Sequence, residues 1–215
     1  MKSFITLLAA FFCLPLMKKT GNEPFKKAIS DQKTVAILPA MVHLTLRRGE
    51  MQRTTEQQVL DAERDMGFMI QTDMYRWFAE NSSKYHYTAD IQSPDESNDL
   101  LFSKGLSYEN YKLLRPDSIA KILGVDAVVL CKTEISKMMS EEADVGVSFG
   151  LSLLPGTHWL PGNTHLNVEI GIAEKTNGKI IWQNNYNSPW TSGSSIDKIL
   201  DRILKNAAKN FPYRK

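Results

Sequence analysis

Apolar residues recur along the chain with two spacings, one typical of helices and one typical of strands, and the two patterns alternate. The longest helical pattern begins at Thr54 or Thr55, each of which precedes a glutamine by three positions, as in a capping box. At helical spacing the methionines that follow favour a buried core face over a soft metal site. Gly67 lies beside this stripe and indicates close packing of the helix on a sheet. The stripe consists of Val59, Ala62, Met66, Ile70, Met74, Trp77 and Phe78.

Residues 116–136 predict a short helix, a stop and a strand suited to the middle of a sheet. Pro116 suits the first turn of a helix, and Gly124 stands where a left-handed residue commonly ends one. The strand that follows is apolar on both faces at its start, which is typical of a strand covered on both sides. Cys131 alternates with apolar residues in this strand and is interpreted as a buried small hydrophobe. The face to which it belongs consists of Ala127, Val129, Cys131, Thr133 and Ile135.

Further strands and helices are predicted before this centre. An apolar run at 34–39 predicts the first strand, and the alternation over 40–51 is compatible with an extension that carries His43 as a partly buried structural histidine. Tyr85 and Tyr87 alternate with polar residues and predict a strand over 83–92. A helix is predicted from Ser93, with a buried side made of Leu100, Leu101 and Phe102.

A long hairpin is predicted after the central strand. Its first arm alternates large apolar residues with glycine and serine, namely Val145, Val147, Phe149, Leu151 and Leu153. A turn-rich segment containing Trp159 leads to a second alternation over 165–172. Asn177 and Gly178 then predict a tight two-residue turn into a last strand over 179–186. A closing amphipathic helix begins at Ser194 or Ser195.

These elements predict an α/β (α+β) fold, a mixed β-sheet of about 4–6 strands with helices packed on it, plus a β-hairpin extension. The expected organisation is a signal peptide or lipoprotein signal at 1–17, a polar linker at 18–33 and a single α/β domain at 34–212. The hairpin insertion is placed at about 137–165. At 215 residues the chain is long enough for a hydrophobic core.

The N-terminus predicts export. Lys2 precedes an uncharged apolar run from Phe4 to Met17, which is shorter than the roughly 20 residues that span a bilayer and has the size of a signal-peptide core. The predicted location is therefore the periplasm. Cys13 is the candidate lipid-bearing residue for an anchor in the outer membrane. Phe12 departs from the small residue that precedes the cysteine in lipoproteins, so an ordinary signal peptide containing Cys13 is the alternative.

Composition and motifs favour a protein that works through contacts over an enzyme. A formal net charge of +2 without a basic cluster argues against a nucleic-acid-binding surface. The two cysteines make neither a disulfide framework nor a metal-ligand spacing. No phosphate-binding loop, serine-hydrolase elbow or zinc-protease motif occurs in the sequence, so neither a cofactor nor a small-molecule substrate is predicted.

One alternative from the polar residues is a metal enzyme or a small hydrolase. His158 and His165 flank a Pro-Gly turn, and they would meet across the hairpin base with Glu169 as a third metal ligand. Asp95 and Glu96 are instead interpreted as charges at a helix N-terminus. Asp90 is interpreted as a solvated residue at the end of a strand. For these residues, surface roles are therefore preferred over a metal site.

The order of elements resembles that of bacterial envelope lipoproteins built on the fold shared by the TolB N-terminal domain, LpoB-like activators and CsgG-like secretion proteins. The stretches that carry the resemblance are the first strand at 34–39, LGVDAVV at 123–129 and AEKTNGKIIWQ at 173–183. The resemblance covers residues 33–212. It implies a mixed-sheet domain that binds other envelope proteins or assembles with copies of itself, without catalysis.

The same resemblance implies a second role for the hairpin. In CsgG-like members a stretch inserted after the central strand forms β-hairpins that assemble into an outer-membrane pore, and the alternation of Val145–Leu153 fits such a strand. The alternative is an edge hairpin that packs on the domain's own core. One hairpin in lipid would leave its edges unpaired, so a pore requires a ring of subunits. The candidate interaction residues are Val145, Val147, Phe149, Leu151, Trp159 and Trp190.

Overall fold

The computed structural model describes residues 23–46, 52, 54–137, 164–189 and 196–214. The helices within these ranges are α1 (Glu23–Asp31), α2 (Glu56–Tyr85), α3 (Pro94–Ser103), α4 (Tyr108–Tyr111), α5 (Pro116–Leu123) and α6 (Ile196–Ala207). The strands are β1 (Thr34–Ile37), β2 (Met41–Thr45), β3 (Asp90–Gln92), β4 (Ala127–Lys137), β5 (Thr164–Glu174) and β6 (Ile180–Pro189).

The strands form one mixed six-stranded sheet in the order β3-β1-β4-β5-β6, with β2 also paired to β4. Pairing is parallel among β1, β2, β3 and β4, and antiparallel from β4 through β5 to β6. The predicted central strand is therefore β4, and the sheet with its helices confirms the predicted α/β class. Helix α5 and Gly124, which ends it at a φ of 71°, also match the prediction.

Two hydrophobic cores lie on the two faces of this sheet. On one face α2 and α6 cover the odd-numbered side chains of β4, including Cys131, which is 1% exposed. Burial raises the pKa of its thiol to about 11, which fits the predicted small hydrophobe. On the other face α3, α4 and α5 cover Ala36, Leu38 and Val128. Helices α3, α4 and α5 do not extend over Lys132, so the C-terminal half of β4 carries exposed polar side chains on this face.

Strands β1 and β2 run along the same side of β4 and are separated by a bulge. Ile37 pairs with Val129 and Met41 pairs with Lys132, so four residue steps on one strand face three on the other. The bulge frees backbone groups, and other elements supply their partners. The Ala40 N–H donates to the Gly67 carbonyl at 2.9 Å, and the Ala40 carbonyl accepts from the Tyr108 hydroxyl at 2.8 Å.

Two predictions about local structure were wrong near the ends of the first helices. Residues 23–31 form α1 and not a linker, because Ile29 is 6% exposed within the main core and the Gln32 side chain accepts from the Tyr213 hydroxyl. Tyr85 is the last residue of α2 and not part of a strand. His86 ends the helix in a left-handed conformation, and its N–H donates to the Ser82 carbonyl at 2.8 Å.

Three smaller predictions were also wrong. His43 is exposed and not partly buried, with its side chain 72% accessible beside Glu63. Phe102 is 51% exposed, since it lies on the outer side of α3. The loop between β5 and β6 runs over 175–179 and is longer than a two-residue turn. Only Gly178 there has a positive φ, whereas the type I′ turn that favours Asn-Gly needs two such residues.

Candidate functional site in the groove beside strand β3

The C-terminal turns of α2 and the outer edge of β3 enclose a cavity of about 380 Å³. This volume lies within the range of roughly 300–1,000 Å³ that is usual for ligand pockets. We call this cavity the β3 groove. Its lining combines aromatic, small and polar side chains, from Tyr75, Phe78, Ala79, Ser82, Ser83, His86, Tyr87, Ala89, Asp90 and Ile91.

Strand β3 presents free backbone groups to this groove because it ends the sheet. The Asp90 N–H donates to the Lys33 carbonyl at 2.8 Å, so Asp90 directs its backbone towards β1. Backbone groups of successive residues in a strand point to opposite sides. The N–H and carbonyl of Ile91 therefore point outward, along the edge that lines the groove.

Tyr87 lines the same groove and carries a buried hydroxyl. Its ring contacts Phe78 edge-on at 5.4 Å between centroids and stacks near Tyr85 at 5.9 Å. The hydroxyl oxygen is buried and has no hydrogen-bond partner among the described residues. Burial raises the pKa of this hydroxyl well above its usual value near 10, so it stays protonated at neutral pH and is a hydrogen-bond donor. A ligand acceptor that reaches this hydroxyl would give it a partner that the described residues do not provide.

The C-terminal segment holds Tyr87 and β3 in place. Tyr87 forms an antiparallel bridge with Arg214, and the Thr88 N–H donates to the Tyr213 carbonyl at 2.8 Å. Phe211 packs against the Tyr87 ring at 5.7 Å. The shape of the groove therefore depends on residues more than one hundred positions away in the sequence.

Exposed polar residues line the groove, and two cationic side chains outside the lining pack on Tyr85. Lys84 and Arg214 both lie over the Tyr85 ring, at 5.2 and 5.3 Å from its centroid. His86 is exposed and has a φ of 50°, an uncommon conformation for a residue other than glycine. Asp90 is exposed on the opposite side, as predicted for a strand end. The lining therefore offers hydrogen-bonding groups beside apolar surface.

The groove also holds the three residue types of a hydrolytic triad, but they do not form one. A nucleophile and its base need to lie within hydrogen-bond reach of each other. No hydrogen bond joins Ser83, His86 and Asp90, and the neighbouring Ser82 hydroxyl donates to the Ala79 carbonyl at 2.8 Å. These three side chains therefore do not form a hydrogen-bonded triad in this structure.

No protein-family model matches the chain, and no curated protein matches it. Similar solved structures include lipoprotein GNA1162 from Neisseria meningitidis, at 12% identity and a TM-score of 0.45 over 82% of this chain and 94% of that one. The PelC dodecamer from Paraburkholderia phytofirmans gives 8% identity and a TM-score of 0.43 over 86% and 89%. The LpoB C-terminal domain from Salmonella enterica gives 10% and 0.38 over 77% and 95%. At these identities and TM-scores the similarities carry no inference about family or function.

Most site residues predicted from the sequence lie outside the described residues. These are Cys13, Val145, Val147, Phe149, Leu151, Trp159 and Trp190, together with His158 of the metal alternative. His165 and Glu169 lie four residues apart on β5, which is roughly 13 Å along an extended strand, too far to share one ion. The described residues contain no group of three or more His, Cys, Asp or Glu side chains that could hold a metal.

Asp95 and Glu96 occupy the first turn of α3, as predicted. The Glu96 N–H donates to the Ser93 hydroxyl at 3.2 Å, so this end of the helix is capped and carries the expected charges. Of the helices in the described ranges, none combines the length and apolar character needed to cross a membrane.

Sequence reasoning missed the β3 groove. Tyr87 was interpreted as one member of a longer alternating strand, and nothing local marks its hydroxyl as unpaired. The weak signal was the run of aromatic and polar residues over 85–90, which has no helix pattern of its own.

Tyr87→Phe is expected to raise the free energy of unfolding by about 1 kcal/mol, because it removes a buried hydroxyl that no described residue pairs with. The matched control is Tyr213→Phe, which removes a hydroxyl that donates to Gln32 and should lower stability. Urea denaturation of both variants measures the two effects. Equal losses in the two variants would show that the Tyr87 hydroxyl has a partner in the folded protein.

Proposed function

We propose that this chain is an exported, non-enzymatic protein of a bacterial cell envelope, and that it acts through contacts with other proteins. The apolar run Phe4–Met17 supports export to the periplasm, with Cys13 as the candidate site of lipid attachment. The resemblance of the element order to envelope lipoproteins supports the same compartment. Fractionation of cells, with the intact mass of the mature chain, tests this part of the proposal.

The contact surface we propose is the β3 groove, and its occupant is an extended peptide segment of a partner protein. The observation that carries this proposal is the free edge of β3 beside a groove lined by Tyr87, whose buried hydroxyl has no partner among the described residues. A peptide that adds to a sheet edge gains affinity from main-chain hydrogen bonds, and adjoining pockets select its side chains. The Ile91 backbone would form the main-chain bonds, and the Tyr87 hydroxyl would donate to a peptide carbonyl.

The test uses a phage-displayed library of linear peptides, selected on the native protein and measured by fluorescence anisotropy. Ala79→Trp fills the groove and should weaken the selected peptides by about tenfold or more. Tyr87→Phe removes only the donor and should weaken them by about fivefold. Glu80→Trp is the matched control, since Glu80 is exposed on the same helix and does not line the groove.

Two results would contradict the groove as the contact surface. One is a library that yields no peptide with measurable affinity. The other is a set of peptides that bind Ala79→Trp and Glu80→Trp with the same affinity as the unmodified protein. Neither result bears on export, which the fractionation tests separately.

The alternative function is a CsgG-like oligomer that inserts β-hairpins into the outer membrane as a secretion channel. Its support is the alternation over Val145–Leu153, whose residues lie outside the described ranges. Such a channel requires a ring of subunits. A chain that never exceeds a dimer in mild detergent would contradict this alternative.

A further inference from the structure

The outer edge of β6 differs from the other sheet edges among the described strands. At β2 the outward N–H of Val42 donates to the Tyr108 hydroxyl at 3.1 Å, and that of Leu44 donates to the Glu63 carboxylate at 2.8 Å. These bonds close the β2 edge. Strand β3 is only three residues long, so its open edge consists of the Ile91 backbone alone. Strand β6 is ten residues long, and no described residue pairs with its outer side.

Strand β6 also lacks the side chains that usually protect an exposed edge. Natural edge strands commonly carry lysine or other charges, which prevent pairing with another strand. The sequence of β6 is IIWQNNYNSP, which contains no charged residue. Pro189 limits pairing only at its C-terminal end. A bulge at Ile181 interrupts the pairing near the start of β6, so the regular and uncharged part of the edge begins at Trp182.

We propose that β6 is a self-association edge at which two copies of this chain pair antiparallel and join their sheets. The occupant is a second copy because an uncharged strand meets itself without like-charge repulsion, and the net charge of +2 adds little repulsion between subunits. An antiparallel pair about a two-fold axis is also self-complementary in its backbone hydrogen bonds. This inference is independent of the β3 groove.

The side chains of β6 suit this pairing on both faces of the sheet. Gln183, Asn185 and Asn187 share the polar face, since they pair with Gly171, Glu169 and Asn167 of β5. An amide both donates and accepts, so it can bond to an identical amide. In a pair centred on Asn185, Gln183 of one copy lies opposite Asn187 of the other.

The opposite face of β6 contributes aromatic surface. Trp182 and Tyr186 are half-buried there against the main core, with Trp182 at 5.5 Å from Phe211. A second strand would cover their remaining exposed edges. Pairing of one strand buries less than the roughly 800 Å² per partner of a standard interface, so the dimer should depend on protein concentration.

Sedimentation equilibrium of the mature protein over a wide concentration range tests this dimer. Asn185→Lys places like charges opposite each other and should weaken dimerisation by about tenfold or more. Asn167→Lys is the matched control, because it makes the same change on the same sheet face, one strand away from the edge. Mixing Asn185→Lys with Asn185→Glu should restore the dimer, and circular dichroism verifies that each variant is folded.

Three results would overturn the proposal. The first is a monomer at all concentrations. The second is a dimer that Asn167→Lys weakens as much as Asn185→Lys does. The third is an assembly larger than two copies, because pairing through one edge about a two-fold axis closes at a dimer.

Discussion

Gly67→Ala is expected to lower the free energy of unfolding by about 3 kcal/mol, because overpacking at a rigid contact carries a penalty of this order. A Cβ atom at this position would lie 2.5 Å from the Ala40 carbonyl oxygen and 2.6 Å from Cε2 of Tyr108. Ala40 belongs to the bulge between β1 and β2, where its N–H donates to the Gly67 carbonyl at 2.9 Å, and the Tyr108 hydroxyl of α4 donates to the Ala40 carbonyl at 2.8 Å. Relieving the clash would break these hydrogen bonds.

The sign of this effect separates tertiary packing from helix propensity. Alanine is favoured over glycine by about 1 kcal/mol within a helix, so propensity alone predicts a more stable variant. Gly171→Ala is the matched control, since a Cβ there meets neighbours at an ordinary 3.6 Å. Chemical denaturation compares the two variants. A Gly67→Ala protein as stable as the Gly171→Ala protein would show that helix α2 does not touch the bulge as described.

Phe211→Ala is expected to lower the free energy of unfolding by about 3–5 kcal/mol, the usual loss for a buried phenylalanine. Phe211 is buried at the centre of an aromatic cluster that joins its own C-terminal segment to three other parts of the fold. Its ring centroid lies 4.8 Å from Phe78 of α2, 5.5 Å from Trp182 of β6 and 5.7 Å from Tyr87 beside the groove. Truncation leaves a cavity that these large rings cannot fill without moving.

The matched control for Phe211 is Phe102→Ala, which makes the same chemical change at an exposed ring. Phe102 is 51% exposed and contacts the ring of Phe68 at 6.1 Å between centroids. The expected loss is below about 1 kcal/mol, as is usual for surface positions. Urea or thermal unfolding measures both variants. Similar losses in the two proteins would contradict the assignment of Phe211 to the core.

The two proposed surfaces lie at opposite ends of the sheet. The order β3-β1-β4-β5-β6 places the groove at one edge and the self-association strand at the other. A dimer formed through β6 would therefore leave both β3 grooves open. Peptide affinity is expected to be the same for Asn185→Lys and for the unmodified protein, which keeps the two proposals experimentally separate.

The sequence determined those elements whose evidence is local. Periodic apolar positions located α2, α5, β4, β5 and α6, since one buried face leaves a regular repeat in the chain. Capping residues identified helix ends in the same way, and Thr55 with Gln58 forms the predicted capping box. The burial of Cys131 and the close approach at Gly67 also followed from their positions within these patterns.

Only the tertiary structure decided which polar groups have partners and which sheet edges are open. The β2 edge is closed by Glu63 and Tyr108, which lie nineteen and sixty-six residues away from the N–H groups they bond. The Tyr87 hydroxyl has no partner among the described residues, because Phe78, Tyr85 and Phe211 surround its ring. A periodic pattern reports that one face is buried, but not which segment covers it. The candidate surfaces depend on that second fact, so the sequence alone did not reveal them.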